Sequence, residues 1–216
     1  MAASEPTDFD PPAEWAEIYS RQPGLILGFH GCDKVTGEDV LAGRTQLEIS
    51  QNEYDWLGSG IYFWEADPWR ALQFAKEART KGYLTGRPIT TPYVVGAIID
   101  LGRCCNLLEV GAIGGLQRAY EDMDEAFTLV GLNMPKNTKG RRNLDRAVVE
   151  YMHGLRKRGA VVGRKRIPLP SYDTVRAAFP EGDELYKGSG FLSKNHIQIA
   201  VREPRCIKGY FRLLGL

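Results

Sequence analysis

Four large apolar residues in a row, Ile61-Tyr62-Phe63-Trp64, follow a Gly-Ser-Gly turn and precede a helix-forming segment. Consecutive side chains of a strand point to opposite faces, so Ile61 and Phe63 share one face and Tyr62 and Trp64 share the other. One pair can enter a hydrophobic core. We therefore expect the other pair to line a site.

Hydrophobic periodicity and turn residues predict a mixed order of strands and helices. The predicted strands span residues 25–30, 60–65, 91–102, 195–203 and 206–214, and the predicted helices span 36–43, 67–81, 111–130 and 143–158. The predicted N-caps are Thr36 for the first helix, Asp67 for the second, and Asn143 or Asp145 for the fourth. A turn around Pro204 separates the last two strands, which are expected to pair antiparallel. This order predicts an α+β fold rather than a doubly wound one.

Length and composition fit one main domain. A chain of 216 residues of which 43% are hydrophobic can bury one substantial core. Residues 1–22, acidic and rich in proline, are predicted to form an N-terminal tail with a short helix, and residues 23–216 to form the domain. The sequence contains neither a leader pattern nor an apolar run of membrane-spanning length, which predicts a cytoplasmic protein with no membrane partner.

The cysteines and histidines show no metal-binding spacing. The four cysteines form no CxxC pair, and the three histidines are far apart in the chain. We therefore expect reduced thiols that serve packing, and no metal cofactor.

The nearly balanced charge hides a basic block. Residues 136–166 contain eleven basic and two acidic side chains, a net charge of +9, which leaves −8 for the rest of a chain whose total is +1. Such a block can attract phosphates, although a solvated helix face would have the same composition. The candidates for binding an acceptor molecule are Arg141, Arg142, Arg164, Lys165 and Arg166.

Three short segments contain the candidates for chemistry. His30 and Gly31 end the first predicted strand, and a glycine there lets a ligand approach the backbone closely. The aromatic strand around Tyr62 follows, and Gln198 lies on a late strand where its amide faces away from Ile197 and Ile199. Each segment alone also fits an ordinary structural role. The sequence has neither a GxGxxG motif nor a Walker loop.

In their order along the chain these segments resemble the ADP-ribosyltransferase family. The resemblance is closest to the histidine-tyrosine branch, which includes the poly(ADP-ribose) polymerases and diphtheria toxin. It rests on Phe29-His30-Gly31, on Gly58-Ser59-Gly60-Ile61-Tyr62-Phe63, on Ala71-Leu72-Gln73-Phe74-Ala75 and on Gln198. It spans residues 25–213 and implies a split antiparallel β-sheet with flanking helices, and NAD as co-substrate.

The resemblance assigns roles to individual residues. It implies that His30 hydrogen-bonds the adenosine-side ribose of NAD and that the main chain of Gly31 holds the nicotinamide carboxamide. Tyr62 would stack on the nicotinamide ring, and Phe74 would complete an aromatic sandwich. Aromatic faces attract cationic rings, so such stacking is favourable by roughly 0.5–2 kcal/mol for each contact.

The sequence departs from the family at the catalytic glutamate, where Gln198 stands. A carboxylate there would stabilise the oxocarbenium-like centre that forms as the nicotinamide–ribose bond breaks. Glutamine accepts a hydrogen bond from the ribose 2′-hydroxyl but supplies no charge, so polymer elongation is not expected. Glu181 and Glu184, in the loop before this strand, are candidates for an auxiliary acid, although ordinary surface acids would look the same. The family contacts its target through this loop.

The leading interpretation is an NAD-dependent mono-ADP-ribosyltransferase that modifies an intracellular protein or nucleic acid. Such an enzyme would suit a toxin or defence factor, with an antitoxin or an ADP-ribosyl hydrolase as a partner. Three alternatives remain open: an inactive module of the same fold that binds NAD or nucleic acid, an NAD glycohydrolase or RNA 2′-phosphotransferase, and a nucleic-acid binder with no NAD site.

Overall fold

The computed structural model describes residues 24–52, 54–81, 88–138, 141–162 and 165–215. The strands are β1 (Leu25–Asp33), β2 (Ile61–Glu65), β3 (Pro92–Asp100), β4 (Cys104–Asn106), β5 (Asn137–Thr138), β6 (Arg141–Arg142), β7 (Ala160–Val162), β8 (Lys165–Ile167), β9 (Thr174–Phe179), β10 (His196–Val201) and β11 (Ile207–Phe211). The helices are α1 (Lys34–Leu41), α2 (Pro68–Thr80), α3 (Val110–Leu129) and α4 (Asn143–Arg158), with a 3₁₀ turn at Pro204–Cys206. The predicted tail, residues 1–22, lies outside the described residues.

Seven strands form the main sheet, in the order β11-β3-β1-β2-β10-β9-β4. Neighbouring strands are antiparallel except at one edge, where β4 runs parallel to β9. The pairs β5–β6 and β7–β8 form two small separate ladders. The predicted α+β class is confirmed, but the sheet is mixed rather than wholly antiparallel. Neither β4 nor β9 has a counterpart among the predicted strands.

Helices cover both faces of the main sheet. On one face, α1 packs with the side chains of alternate strand residues such as Phe63, Val95 and Ile199. On the other face, α2 packs over β1 and β3, while α3 and α4 cover β9 and β10. The four cysteines are free and buried in these layers, as the sequence predicts.

The aromatic strand β2 is buried more completely than the sequence suggests. Ile61 and Phe63 enter the core, with 2% and 0% of their surface exposed. Trp64 is also buried, with 3% exposed, because α2 covers its face of the sheet. Only Tyr62 is half-buried. The expectation that one whole pair is left outside the core is therefore wrong, because Trp64 is buried although its partner Tyr62 is not.

The expectation that the first strand ends at Gly31 is wrong. β1 pairs with β3 along all nine residues, as far as Asp33. Helix α1 consequently begins at Lys34, and Asp33 caps it by accepting a hydrogen bond of 3.0 Å from Val35 N. Thr36, the predicted cap, lies inside the helix. A carboxylate at the end of a strand competes well for this position because it can satisfy free N–H groups of the first turn.

The predicted N-cap is used in α2 but not in α4. In α2 the predicted cap is confirmed, since Asp67 accepts a hydrogen bond of 2.8 Å from Arg70 N and Pro68 begins the helix. In α4 neither predicted cap is used, because Asn143 and Asp145 lie within the helix. Asn137 on β5 replaces them: its Oδ1 accepts hydrogen bonds from Leu144 N and Asp145 N over 2.9 and 3.3 Å.

The two C-terminal strands do not pair with each other, contrary to the sequence-based expectation. β10 lies between β2 and β9, whereas β11 adds to the free edge of β3. The 3₁₀ turn at Pro204–Cys206 redirects the chain between them. Pairing with β3 places Ile207 beside Ile99 and Tyr210 beside Ala97, which buries apolar surface that a local hairpin would leave exposed.

Candidate functional site

The ladder between β1 and β2 is unusually short. It joins only Gly28 to Glu65 and Phe29 to Trp64, and it ends there although both strands continue. His30 and Gly31 on β1 therefore face Tyr62 on β2 across a position where strand pairing has stopped. The ordered pairing of β1 with β3 and of β2 with β10 holds the two sides of this gap.

The backbone of Gly31 faces this gap. In an antiparallel ladder, alternate residues direct both N–H and C=O to the same neighbouring strand. Lys34 N bonds to Thr91 O, beside β3, and Leu27 O accepts a bond from Ala66 N, beside β2. Even-numbered residues of β1 thus face β3 and odd-numbered residues face β2. By this alternation the N–H and C=O of Gly31 point toward the β2 side, at a position past the last pair of the β1–β2 ladder.

The ring of His30 bridges the gap. Its Nδ1 lies 2.8 Å from Tyr62 O, the carbonyl that a continued ladder would have joined to Gly31. A carbonyl only accepts, so Nδ1 must carry the proton. Burial lowers the pKa of His30, against the opposing effect of the bond to Tyr62, so the ring is neutral near pH 7. Its Nε2 is then an acceptor.

Gly31 also allows a helix to pack closely. A Cβ atom on this residue would lie 2.2 Å from the carbonyl oxygen of Ala71 on α2. The missing side chain therefore lets α2 approach β1, in addition to leaving the strand backbone accessible from the gap. Packing alone accounts for a glycine here, so its presence does not by itself identify a ligand site.

The phenol of Tyr62 is held by the turn that precedes its own strand. Its hydroxyl donates to Gly58 O over 2.8 Å and accepts from Leu57 N over 3.0 Å. Burial raises the pKa of Tyr62 well above its usual range, and the nearby Asp55 adds to this. The phenol is therefore neutral and oriented by two backbone groups, which leaves its half-buried ring as the part available for contact.

A carboxylate on α4 fixes this turn. Glu150 Oε1 accepts a bond of 2.5 Å from Ser59 N, and Arg202, just after β10, bonds to both Glu150 oxygens over 3.1 and 3.3 Å and to Ser59 O over 3.0 Å. Burial alone would raise the pKa of Glu150, but the bonds from Arg202 and Ser59 outweigh it and lower that pKa to about 2. The turn that positions Tyr62 is thus attached to a helix and to a strand end.

Gln198 and Tyr62 lie on the same face of the sheet. β10 pairs Gln198 with Trp64 and Ala200 with Tyr62, so the two side chains are diagonal neighbours. Such neighbours are about 7–8 Å apart in antiparallel sheets. The sheet therefore brings Gln198 and Tyr62 together although they are far apart in sequence. The His30 ring lies next to Phe63 instead, with ring centroids 5.8 Å apart, and it contacts β2 through the backbone carbonyl of Tyr62.

The amide of Gln198 already has a partner. Trp56 donates its indole N–H to Gln198 Oε1 over 2.6 Å. An indole N–H only donates, so the atom that faces it must be the amide oxygen, and the NH₂ group of Gln198 points elsewhere. Trp56 also packs on Phe179, with ring centroids 4.9 Å apart. The Gln198 amide is thus oriented, with its donor side free for another contact.

Arg142, one of the predicted acceptor-binding residues, lies against this cluster. Its guanidinium is 4.7 Å from the ring centroid of Phe179 and 5.7 Å from that of Trp56, and it pairs with Asp145 at 3.3 Å. Arginine over an aromatic face is a favourable arrangement. A groove of about 290 Å³ between α3 and α4 also reaches Trp56, one side chain away from Gln198.

The other predicted acceptor-binding residues do not gather around Arg142 within the described part of the chain, except for its neighbour Arg141 on β6. Arg141 and Lys165 are exposed, Arg166 belongs to β8, and Arg164 lies outside the described residues. Helix α4 separates β6 from the β7–β8 ladder by 16 residues, which corresponds to about 24 Å. The basic block of the sequence is therefore divided between the two ends of α4 rather than gathered in one patch.

Phe74, expected to form a sandwich with Tyr62, packs elsewhere. Its ring lies 4.9 Å from that of Trp64, within the cluster that includes Phe29 and Ala71. Trp64 therefore occupies one side of Phe74. Of the two rings that the resemblance assigns to nicotinamide, Tyr62 faces the gap from β2 and Phe74 contacts the tryptophan two residues further along that strand.

The two candidate auxiliary acids are engaged differently. Glu181 accepts a bond of 2.7 Å from Arg70 on α2 and lies 4.0 Å from His196 Nδ1. Glu184 accepts a bond of 2.9 Å from Gly188 N within its own exposed loop. Glu181 is thus directed toward the face of the sheet that carries Gln198, whereas Glu184 stabilises the loop.

Sequence reasoning missed three residues of this arrangement, namely Trp56, Glu150 and Arg202. Trp56 lies two residues before the Gly58-Ser59-Gly60 turn, but nothing in the sequence connects its indole to Gln198. Glu150 appears in the sequence only as a polar position on an amphipathic helix, and Arg202 as a residue that follows a strand. No local signal connects these two residues to the turn.

Comparisons with protein families, with curated proteins and with solved structures found no match to this chain. Among the described residues, no helix combines the length and the apolar character needed to cross a membrane. The same residues contain no group of three or more histidine, cysteine or acidic side chains arranged to hold a metal ion.

Proposed function

We propose that this chain is an NAD-dependent mono-ADP-ribosyltransferase. The observation that carries the proposal is the interrupted ladder between β1 and β2, with the His30 ring bonded to Tyr62 O and the Gly31 backbone directed into the gap. His30, Gly31 and Tyr62 are among the residues on which the resemblance rests. They meet at this gap although His30 and Tyr62 are 32 residues apart in the chain.

The Gly31 backbone matches a carboxamide. A strand residue that has lost its neighbour offers one N–H donor and one C=O acceptor side by side. A primary carboxamide such as that of nicotinamide offers the complementary C=O and NH₂ groups. Binding there would replace the missing strand pair with a ligand and would satisfy both backbone groups.

His30 matches a hydroxyl donor. Because Nδ1 is committed to Tyr62 O, its Nε2 is an unprotonated acceptor. A ribose hydroxyl can donate to such a nitrogen. The role that the resemblance assigns to His30 therefore agrees with the tautomer that its hydrogen bond requires.

Gln198 sets the reaction type. Cleavage of the nicotinamide–ribose bond releases neutral nicotinamide and leaves positive charge on the ribose, which the acceptor nucleophile then captures while losing a proton. The Gln198 carbonyl can accept from the ribose 2′-hydroxyl in addition to Trp56, since it has two lone pairs. With no negative charge at this position, slow transfer of single units is expected rather than polymer growth.

Radiolabelled NAD and a cell extract test the proposal. We expect label transfer and nicotinamide release by the wild-type protein, and loss of both in Tyr62→Ala and His30→Ala. Trp69→Ala, at an exposed position on α2, is the matched control and should behave as the wild type. Absence of nicotinamide release from every sample would exclude the enzymatic function.

A second candidate function, an NAD-binding module without turnover, is favoured by one observation. The Gln198 carbonyl is already bonded to Trp56, so an uncharged and engaged side chain stands where the reaction needs a negative one. This alternative predicts calorimetric NAD binding that depends on His30 and Tyr62 but no nicotinamide release. Nicotinamide release above the uncatalysed rate would exclude it.

A further inference from the structure

Three neighbouring side chains bury polar atoms that have no partner. Trp64 Nε1, Arg70 Nε, Arg70 Nη1 and His196 Nε2 are inaccessible to solvent, and within the described part of the chain nothing hydrogen-bonds them. The three residues are 3%, 5% and 8% exposed. Unpaired buried polar atoms are costly, so four of them at one place call for an occupant.

The three side chains form one cluster. Arg70 lies 5.7 Å from the Trp64 ring centroid, and the rings of Trp64 and His196 are 6.1 Å apart. His196 and Gln198 are two residues apart on β10 and thus share a face, and Trp64 pairs with Gln198 across the ladder. The cluster therefore adjoins the Gln198 amide on the face covered by α2.

The unpaired atoms include both donors and an acceptor. The indole N–H and the guanidinium N–H groups only donate. His196 Nδ1 lies 2.6 Å from Lys194 O, so that nitrogen carries the proton. Burial lowers the pKa of His196, so the ring is neutral and Nε2 presents a lone pair. An occupant must therefore accept from Trp64 and Arg70 and donate to His196.

The cations beside the cluster already have carboxylate partners. Arg70 pairs with Glu181 at 2.7 Å and lies 3.8 Å from Glu77, which also pairs with Lys194 at 2.7 Å. Asp67 at the start of α2 adds a further negative charge near His196. A further buried charge would lack compensation, which favours a neutral occupant over a phosphate or carboxylate group.

We propose that Trp64, Arg70 and His196 form a subsite for a planar amide edge, that is, a carbonyl next to an N–H. The carbonyl accepts from the indole and the guanidinium, and the N–H donates to His196 Nε2. The aromatic rings of Trp64 and His196 suit a flat group. Two sources have this chemistry: a lactam nucleobase such as uracil, and a primary carboxamide such as nicotinamide.

The loop between β9 and β10 is attached to α2 beside the subsite. Glu181 at its start pairs with Arg70, and Lys194 near its end pairs with Glu77. The side chains of Lys194 and Glu77 are 34% and 29% exposed, so water screens that pair. The Arg70 side chain is only 6% exposed, so releasing Glu181 leaves a buried guanidinium without its carboxylate and is the larger cost of opening the loop. Ligand entry past this loop therefore requires the Glu181–Arg70 pair to separate.

NMR titration with simple compounds tests the subsite without NAD turnover, so it can fail or succeed independently of the proposed function. The probes are uridine and nicotinamide, each paired with a methylated analogue that lacks the N–H, namely 3-methyluridine and N,N-dimethylnicotinamide. The indole N–H resonance of Trp64 is assigned by its absence in Trp64→Phe. Trp69→Phe, which alters an exposed tryptophan beside Arg70, is the matched control.

We expect one probe to shift the Trp64 resonance in the wild-type protein and its methylated analogue to bind at least about tenfold more weakly, as the loss of a buried hydrogen bond predicts. Trp64→Phe should weaken that probe by about the same factor, and Trp69→Phe should not. A response to uridine assigns the subsite to a nucleobase, and a response to nicotinamide assigns it to a carboxamide. If neither probe moves the resonance, or methylation makes no difference, buried water fills the cluster and the proposal is wrong.

Discussion

Trp56 and Gln198, 142 positions apart, share a hydrogen bond of 2.6 Å from indole nitrogen to amide oxygen. The bond fixes which end of the amide is free and places Trp56 over the strand position that the resemblance assigns to catalysis. It also links that position to the stacked pair Phe179 and Arg142. The environment of Gln198 therefore depends on residues from three separate segments.

Replacing Gln198 with glutamate tests whether this position faces the reacting ribose. The carboxylate keeps the bond from Trp56 and adds the negative charge that stabilises an oxocarbenium-like centre. We expect nicotinamide release from NAD to rise at least about tenfold. Gln73→Glu, on the exposed side of α2, adds the same charge elsewhere and should have no effect. An unchanged rate in Gln198→Glu would place the reaction away from this residue.

Trp56→Phe removes the indole donor but retains an aromatic ring against Phe179 and Arg142. The Gln198 carbonyl then loses a buried partner, so the free energy of unfolding should fall by about 1 kcal/mol. NAD affinity should also fall, because the amide is no longer oriented. Urea denaturation and calorimetric titration measure the two effects. Equal NAD affinity in both proteins would show that the Trp56–Gln198 bond serves stability alone.

The variant His30→Asn tests the roles of the two ring nitrogens of His30 separately. The asparagine amide can donate to Tyr62 O as Nδ1 does, but nothing replaces the Nε2 acceptor. We expect the variant to keep its thermal stability within a few degrees and to lose NAD binding, whereas His30→Ala loses both. The pair of variants is compared by calorimetry and by thermal unfolding. NAD binding that survives in His30→Asn contradicts the ribose contact.

Gly31→Ala tests the contact between β1 and α2. The added Cβ atom would lie 2.2 Å from the Ala71 carbonyl oxygen, so α2 must move. The free energy of unfolding should fall by about 1–3 kcal/mol. At Gly209 on β11 an added Cβ atom meets nothing within 4 Å, so Gly209→Ala is the control and should change stability by about 0.5 kcal/mol or less. Similar values for the two variants would refute the close approach of α2.

Glu150 should make the free energy of unfolding fall as the pH is lowered. Its pKa is about 2 in the folded protein against an ordinary value of 4.5, so the folded state binds this proton less readily than the unfolded state. The stabilisation is complete above pH 4.5 and is lost as the pH falls toward 2. Glu150→Gln should therefore lose less stability than the wild type between pH 6 and pH 3. Chemical denaturation across this range measures it, with Glu125→Gln on α3 as an exposed control; parallel curves for Glu150→Gln and the wild type would contradict the ion pair with Arg202.

Much of the secondary structure follows from the sequence because its signals are local. The alternation of Ile61, Tyr62, Phe63 and Trp64 predicts β2 within one residue, and Asp67-Pro68 predicts the start of α2. These patterns depend on side-chain period and on the capping of free N–H groups, which neighbouring residues determine. The α+β class follows from their order.

Strand pairing and contacts across the sheet could be assigned only from the tertiary structure. The sequence alone did not determine that β11 joins β3, that the β1–β2 ladder ends at Phe29, or that Trp56 bonds to Gln198. Each of these features joins segments that are distant in the chain, and their energy depends on burial and hydrogen bonding that exist only after folding. Residue types and their spacing thus identified His30, Gly31, Tyr62 and Gln198 as candidates, whereas long-range packing decided which of their atoms are free to meet a ligand.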